Sequence, residues 1–203
     1  MVQRYYGKGA DGQDRAPFRW EGFLRGGEIH RQGGGSLAIQ ALPPFLRALL
    51  MTDGTVTKIL EAYFWEPVEV QTLQQELVSA QRSIDWIQVV AGDRVLIRHA
   101  RLRGTDSGQV YATAFSVIRP ERIPESFRRR LIDREIGIGV LIRDSGLESY
   151  REVLEVGLEP AEQDGASGGR DLVYRTYRII IAKEPVILIT ESFPLDLYRG
   201  YHA

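Results

Sequence analysis

Two charged side chains stand where strand periodicity reserves places for apolar ones. Read at every second residue, one face of Arg94–Leu102 is Arg94, Leu96, Arg98, Ala100 and Leu102. The same reading of Val186–Phe193 gives Ile187, Ile189, Glu191 and Phe193. Alternate residues of a strand share a face, and the apolar face turns inward. Arg98 and Glu191 are thereby carried toward a core, where a charge must be paired, neutralised or bound to a ligand. The chemistry this suggests is the holding of an anionic, cyclic small molecule. A guanidinium grips a carboxylate with two parallel hydrogen bonds. A carboxyl group in an apolar setting is suited to hydrogen-bond a hydroxyl of the same molecule. Periodicity alone also allows two plainer outcomes. The two charges satisfy each other or close neighbours, or a one-residue slip of register turns both to solvent.

Other candidates are weaker. The three histidines, His30, His99 and His202, are scattered, and no pair has metal-ligand spacing. Cysteine is absent, so no metal site, disulfide or thiolate chemistry is expected. Ser36, Ser116 and Ser192 have no histidine placed in sequence to activate a nucleophile. Gly137-Ile138-Gly139 lets backbone approach a ligand, or serves equally as a turn or strand-edge device. It lacks the third glycine and the strand–helix context of a dinucleotide site. The run Arg128-Arg129-Arg130 reads as a solvated helix face. With 26 basic and 27 acidic residues, no global field gathers nucleic acid or an anionic membrane surface. The apolar run Val186–Ile189 is far shorter than the roughly 20 residues of a membrane span. The first residues have no apolar signal-peptide core. The expectation is a cytoplasmic protein whose partner is a small molecule, with no nucleic acid and no membrane insertion. No pattern speaks to its oligomeric state.

These residues need a frame to hold them. A chain of 203 residues suits a single domain large enough for both a core and a pocket. Val68–Leu77, Arg94–Leu102, Val110–Ile118, Leu172–Ala182 and Val186–Phe193 are rich in β-branched and aromatic residues and read as strands. Short turns at Asp106-Ser107-Gly108 and Ala182–Pro185 join antiparallel neighbours. Ahead of them Pro43-Pro44 opens a helix with Phe45, Leu46, Leu49 and Leu50 on one face. Thr52-Asp53-Gly54-Thr55 ends it and starts a second helix, with Val56, Ile59, Leu60 and Tyr63 aligned. Helical patterns recur around Glu125–Ile132 and Glu148–Val156, and residues 161–170 read as a polar glycine-rich loop. The fold class is α+β, a single domain with a mainly antiparallel sheet and helices on one side. Residues 1–38 carry nine of the 21 glycines and are expected to form a mobile or loosely attached N-terminal arm. Phe18, Trp20 and Phe23 leave room for a docked strand there. Residues 39–203 form the domain proper.

Three segments, in this order and spacing, resemble the chorismate pyruvate-lyase (4-hydroxybenzoate synthase) family. They are LLMTDGTVTKILEAYF, the strand VLIRHARL with its hairpin, and YRTYRIII with EPVILITESFPLDLYR. The likeness covers roughly residues 40–198 and is nearer the non-enteric bacterial branch. It implies a chorismate-lyase-like fold and release of pyruvate from chorismate, with no metal or organic cofactor. The 4-hydroxybenzoate product would feed quinone biosynthesis, toward plastoquinone or ubiquinone. The family's arginine falls on Arg98 and its glutamate on Glu191, within Thr190-Glu191-Ser192-Phe193. Two further contacts, made largely through backbone, fall on Val56 and Ile136. Val56 replaces a methionine, and Ile136-Gly137-Ile138-Gly139 lacks a frequent preceding proline, so the pocket's shape differs more than its chemistry. The resemblance implies that Arg98 fixes the ring carboxylate and Glu191 meets the ring hydroxyl. The elbow at 51–58 and the segment 131–140 would close over the ring as flaps. Lys58 and Arg178 are candidates for the second carboxylate on charge type alone. Glu191→Ala is expected to cut activity without unfolding the protein. A rival reading is a non-catalytic effector-sensing domain that binds small acids, as in some bacterial transcription regulators of similar fold. The glycine-rich first 38 residues are unlike the helix-turn-helix that such domains carry. A fold relative that acts on another small acid, or only scaffolds a partner, is the second rival.

Overall fold

The computed structural model describes residues 27–31, 34–132, 137–160 and 171–200. A small hairpin, β1 (Glu28–His30) with β2 (Ser36–Ala38), precedes helices α1 (Pro44–Met51) and α2 (Val56–Phe64). Strands β3 (Val68–Ser79), β4 (Arg94–Gly104) and β5 (Val110–Ile118) follow as a meander. Then come α3 (Glu125–Ile132), α4 (Ile138–Asp144), β6 (Ser149–Pro160), β7 (Asp171–Ile181), β8 (Glu184–Pro194) and α5 (Leu195–Gly200). The main sheet has the order β3-β4-β5-β8-β7-β6, with every neighbouring pair antiparallel. The chain is α+β, as its patterns predict.

Local chemistry accounts for the helix pair. Pro44 occupies the first position of α1, where its missing N–H costs nothing. Leu46, Leu49 and Leu50 bury one face of α1; Val56, Leu60 and Phe64 bury one face of α2. These side chains pack with Leu102, Ala112, Val173 and Phe193 of the sheet and with Leu195 and Tyr198 of α5. Phe127, Leu131, Leu141 and Ile142 of α3 and α4 pack with Leu96, Tyr177, Ile179, Ile187 and Ile189. Leu96 and Leu102 share a face of β4, and Ile187 and Phe193 share a face of β8. The five helices α1 to α5 therefore cover one face of the sheet, in two apolar clusters with a gap between them. The other face is covered by the β3–β4 connection, where Ile84, Ile87 and Val89 meet Val95, Ile97, Phe115, Val117 and Leu188. Coverage on both faces explains why β8 reads as a continuous apolar run.

One expected helix is a strand. Of the expected helix Glu148–Val156, residues 149–156 lie in the edge strand β6, paired along its length with β7. A bulge between Val153 and Glu155 inserts one residue, so Val153, Val156 and Leu158 face the same cluster. The three-residue step from Val153 to Val156 imitates a helical face, and periodicity alone cannot tell the two apart. Part of the expected arm is docked. Ile29 is buried in the core, and Arg31 bridges to Leu158 in parallel fashion. Residues 1–26, including Phe18, Trp20 and Phe23, and the loop 161–170 lie outside the described residues.

Candidate active site

The gap between the two apolar clusters is lined by Arg98, Ser116, Tyr177 and Glu191 among apolar side chains. Strand register places it. Arg98 pairs with Ser116 across β4 and β5, and Ser116 with Ile189, which pairs with Tyr177. The next row reads Ala100, Ala114, Glu191 and Arg175. Arg98 and Glu191 are thus two strands and two residues apart, about 12 Å between Cα atoms from standard sheet spacings. Both are buried, at 2% and 6% exposure. Between them the central strand presents only Ala114 and Ser116. The absence of bulk there leaves a cavity of about 70 Å³, floored by these residues with Ala100 and Ile189.

Glu191 is held from two sides. Arg175, fully buried, donates from Nε to Glu191 Oε2 at 2.8 Å, and its Nη2 lies 2.8 Å from the same oxygen. The Tyr177 hydroxyl donates to Glu191 Oε1 at 3.1 Å. Burial pushes the Tyr177 hydroxyl far above the ordinary tyrosine range, and the Glu191 charge adds to the effect. Tyr177 therefore stays a donor throughout the physiological range. The Arg175 guanidinium also sits 4.7 Å from the centre of the Tyr177 ring. On the other side of the cavity, Arg98 Nη2 donates to Thr72 Oγ1 at 2.8 Å.

The roof comes from two short backbone segments. The α1–α2 elbow contributes Gly54 to Thr57, and the start of α4 contributes Gly137 to Val140. Val56 is buried at the first turn of α2, which has no side-chain cap. The N–H groups at such a turn have no intrahelical partner and favour anionic or polar groups. The segments meet closely at Gly139, where a Cβ would lie 3.4 Å from Thr55 Cγ2. Arginines from the sheet pin the elbow. Arg175 Nη1 donates to the Thr52 carbonyl at 2.8 Å, and Arg151 Nη1 donates to the Asp53 carbonyl.

The structure brings Val56, Arg98 and Glu191 to one cavity. Ile136 lies outside the described residues. Neither candidate for a second carboxylate lines the cavity. Lys58 is exposed on α2 and pairs with Glu61 at 2.6 Å. Arg178 has the opposite strand parity to Arg175 and Tyr177. It faces the far side of the sheet, donating to Glu152 at 2.6 Å and to the Trp86 carbonyl at 3.0 Å. Charge type could not separate these residues; strand parity does.

Arg175 and Arg151 escaped the sequence reading. A period-two reading of β7 gives Val173, Arg175, Tyr177 and Ile179, the same signature as for Arg98. Arg151 was hidden by the bulge that made β6 look helical. A second hollow, of about 280 Å³, opens on the opposite face over Val95, Ile97 and Val117, without a buried charge. Among the described residues no three His, Asp or Glu side chains gather as metal ligands would. No helix among them is long and apolar enough to cross a membrane.

Comparison with known proteins agrees with this architecture. The effector domain of PhnF from Mycobacterium smegmatis superposes with a TM-score of 0.56, covering 70% of this chain and 90% of that one at 14% identity. A GntR-family transcriptional regulator from Bacillus cereus gives 0.50, over 67% and 95%, at 13% identity. Likeness at these identities concerns the fold alone. Sequence reaches further. The chorismate pyruvate-lyase of Mycobacterium leprae is 30% identical over 166 residues, 79% of each chain. That of Mycobacterium tuberculosis H37Rv is 28% identical over 169 residues, 79% of this chain and 85% of the other. The profile of the family described as chorismate pyruvate-lyase Rv2949c-like matches residues 50–200. That span takes in the whole cavity, from the α1–α2 elbow to Glu191, and the chain belongs to this family.

Proposed function

We propose that the protein removes pyruvate from chorismate to give 4-hydroxybenzoate, a precursor for quinone biosynthesis. The observation that carries this is the placement of Arg98 and Glu191, both buried, at opposite ends of a cavity floored by small residues. Arg98 holds the ring carboxylate. Glu191, fixed by Arg175 and Tyr177, accepts a hydrogen bond from the ring hydroxyl. The bond between the ring carbon and the ether oxygen of the enolpyruvyl group then breaks. The hydrogen on the hydroxyl-bearing ring carbon leaves as a proton, and its electron pair completes the aromatic ring. The released enolpyruvate takes a proton at its methylene carbon and becomes pyruvate. No covalent nucleophile, metal or organic cofactor enters this scheme. The side chains supply orientation and a preorganised field in a cavity that the two roof segments cover. The partner is a small molecule of the cytoplasm, not a nucleic acid.

The likeness to effector domains favours a second reading, a module that binds a small acid without transforming it. A pyruvate-coupled assay of the purified protein with chorismate and a chelator separates the two. Equal amounts of pyruvate and 4-hydroxybenzoate establish a metal-independent lyase. A raised melting temperature without pyruvate leaves a binding module.

A further inference from the structure

Chorismate carries two carboxylates, and Arg98 accounts only for the one on the ring. We infer that Arg151 binds the second, that of the enolpyruvyl group; this identification of the ligand rests on the lyase reading. Arg151 lines the same cavity as Arg98 and Glu191. It stands on β6 in register with Ile179, four strands across from Arg98, so the two arginines reach over the cavity from opposite rims. Glu191 lies between them. The ether oxygen of chorismate is carried by the carbon next to the one bearing the hydroxyl. A ring anchored by Arg98 and Glu191 therefore projects its enolpyruvyl arm from the Glu191 end, away from Arg98. Arg151 is the cation on that side, and its charge is felt at the Tyr177 hydroxyl that donates to Glu191.

Its bonding leaves it suited to the task. Arg151 is only half-buried. No carboxylate pairs with it among the described residues, and one Nη donates to the Asp53 carbonyl in the elbow. The other Nη lies beside Gly139 of the second roof segment, 3.8 Å from where a Cβ would be. A guanidinium has five N–H donors, so the Asp53 bond and a bidentate carboxylate contact are compatible. Holding the elbow carbonyl and the substrate together, Arg151 would also tie closure of the roof to the presence of the doubly charged substrate. Arg175 does not compete for this role, since Glu191 engages it.

The test compares a dianion with a monoanion. Arg151→Met and Arg151→Lys are assayed for the KM of chorismate and for the inhibition constant of 4-hydroxybenzoate, which lacks the second carboxylate. Loss of a charge-assisted contact predicts that Arg151→Met raises KM by about 10-fold or more. The inhibition constant stays within about 2-fold, and Arg151→Lys recovers part of the loss. Parallel rises in both constants would mean that Arg151 serves only to hold the elbow, and would overturn the assignment; so would no change in either. If the wild-type protein releases no pyruvate, the lyase reading falls by itself. Calorimetric titration of wild type and Arg151→Met with chorismate and with 4-hydroxybenzoate then decides the subsite. A loss confined to chorismate upholds it, and an equal or absent loss sinks it.

Discussion

Replacing Glu191 should weaken the fold as well as the activity, because the residue is half of a buried ion pair. Its side chain is 8% exposed and that of Arg175 1%. Glu191→Ala would leave the Arg175 charge buried with the Thr52 carbonyl and the Tyr177 ring as its remaining partners. Breaking such a pair from one side costs about 3–5 kcal/mol. For a domain of this size each kcal/mol lowers the melting temperature by about 2–4 °C, so a drop of about 6–20 °C is expected. Typical domain stability is about 5–15 kcal/mol, so a wild type above the low end of that range leaves the variant weakened yet folded at 25 °C. Glu191→Gln keeps an amide oxygen to accept from Tyr177 or Arg175 and should lose only part of this stability. The double variant Glu191→Leu, Arg175→Met removes both charges and should be more stable than Glu191→Ala alone. Thermal melts followed by circular dichroism measure all three, and pyruvate release below the melting transition reports activity, which is low in each. A Glu191→Ala melt within 2 °C of wild type, or a double variant that loses the sum of the single losses, would refute the buried-pair argument.

Ala114→Leu adds three carbons to the floor between Arg98 and Glu191; it should reduce pyruvate release by about 100-fold or more while costing at most the ~1–3 kcal/mol of ordinary overpacking, read by steady-state kinetics and urea denaturation. Arg178→Ala and Lys58→Ala, whose side chains lie outside the cavity, should leave the KM of chorismate within about 2-fold; a larger rise would place the altered side chain at the substrate, against the strand parity of Arg178 or the exposed position of Lys58. Glu66 caps the β4–β5 turn, accepting from the Ser107 hydroxyl, the Tyr111 hydroxyl and the Ser107 and Asp106 N–H groups. The Ser107 and Tyr111 hydroxyls lead in holding its carboxyl at about 2, below the usual 4.5. A depressed folded value means that this stabilisation is complete above pH 4.5 and is lost as pH falls toward 2. The melting-temperature gap between wild type and Glu66→Gln should therefore be constant above pH 5 and close below pH 4; a gap that does not narrow on acidification argues against the cap.

Much of the site was legible because a charge on an apolar face is conspicuous in a strand. The faces Leu96-Arg98-Ala100 and Ile189-Glu191-Phe193 point inward as their alternation requires. Arg175 carries the same signal within Val173–Ile179 and could have been found by the same reading. Arg151 could not, because period-two reasoning fails at a β-bulge, and the one in β6 sits two residues beyond it. Nor could the pairing of Arg175 with Glu191 be read from the sequence. It depends on the register of β7 against β8, where Arg175 faces Glu191 across the turn at 182–183. The small residues Ala112, Ala114 and Ser116 were visible on one face of β5, yet smallness signifies a cavity only once flanking strands place larger groups around it. The docking of Ile29 was obscured for the opposite reason: glycines on either side of β1 dominate the local composition while one isoleucine makes the buried contact.

A fold shared with effector domains is physically suited to this chemistry. An elimination driven by aromatisation requires no nucleophile from the protein, so the catalytic demand is to bind one geometry better than another. A sheet with a cavity between two apolar clusters, lined by Arg98 and Glu191, meets most of that demand. What distinguishes chemistry from sensing must then lie in how rigidly the polar groups are fixed where the charge shifts. In this chain Glu191 has partners on both oxygens. The Arg175 that holds one of them also grips the Thr52 carbonyl of the roof. One guanidinium is therefore common to the carboxylate and the roof, and the lyase reading predicts that closing the roof and aligning the carboxylate are coupled. A variant that kept the Glu191 contact but released Thr52 would separate them: ligand would still bind, and turnover would fall because the aligned state is no longer tied to closure.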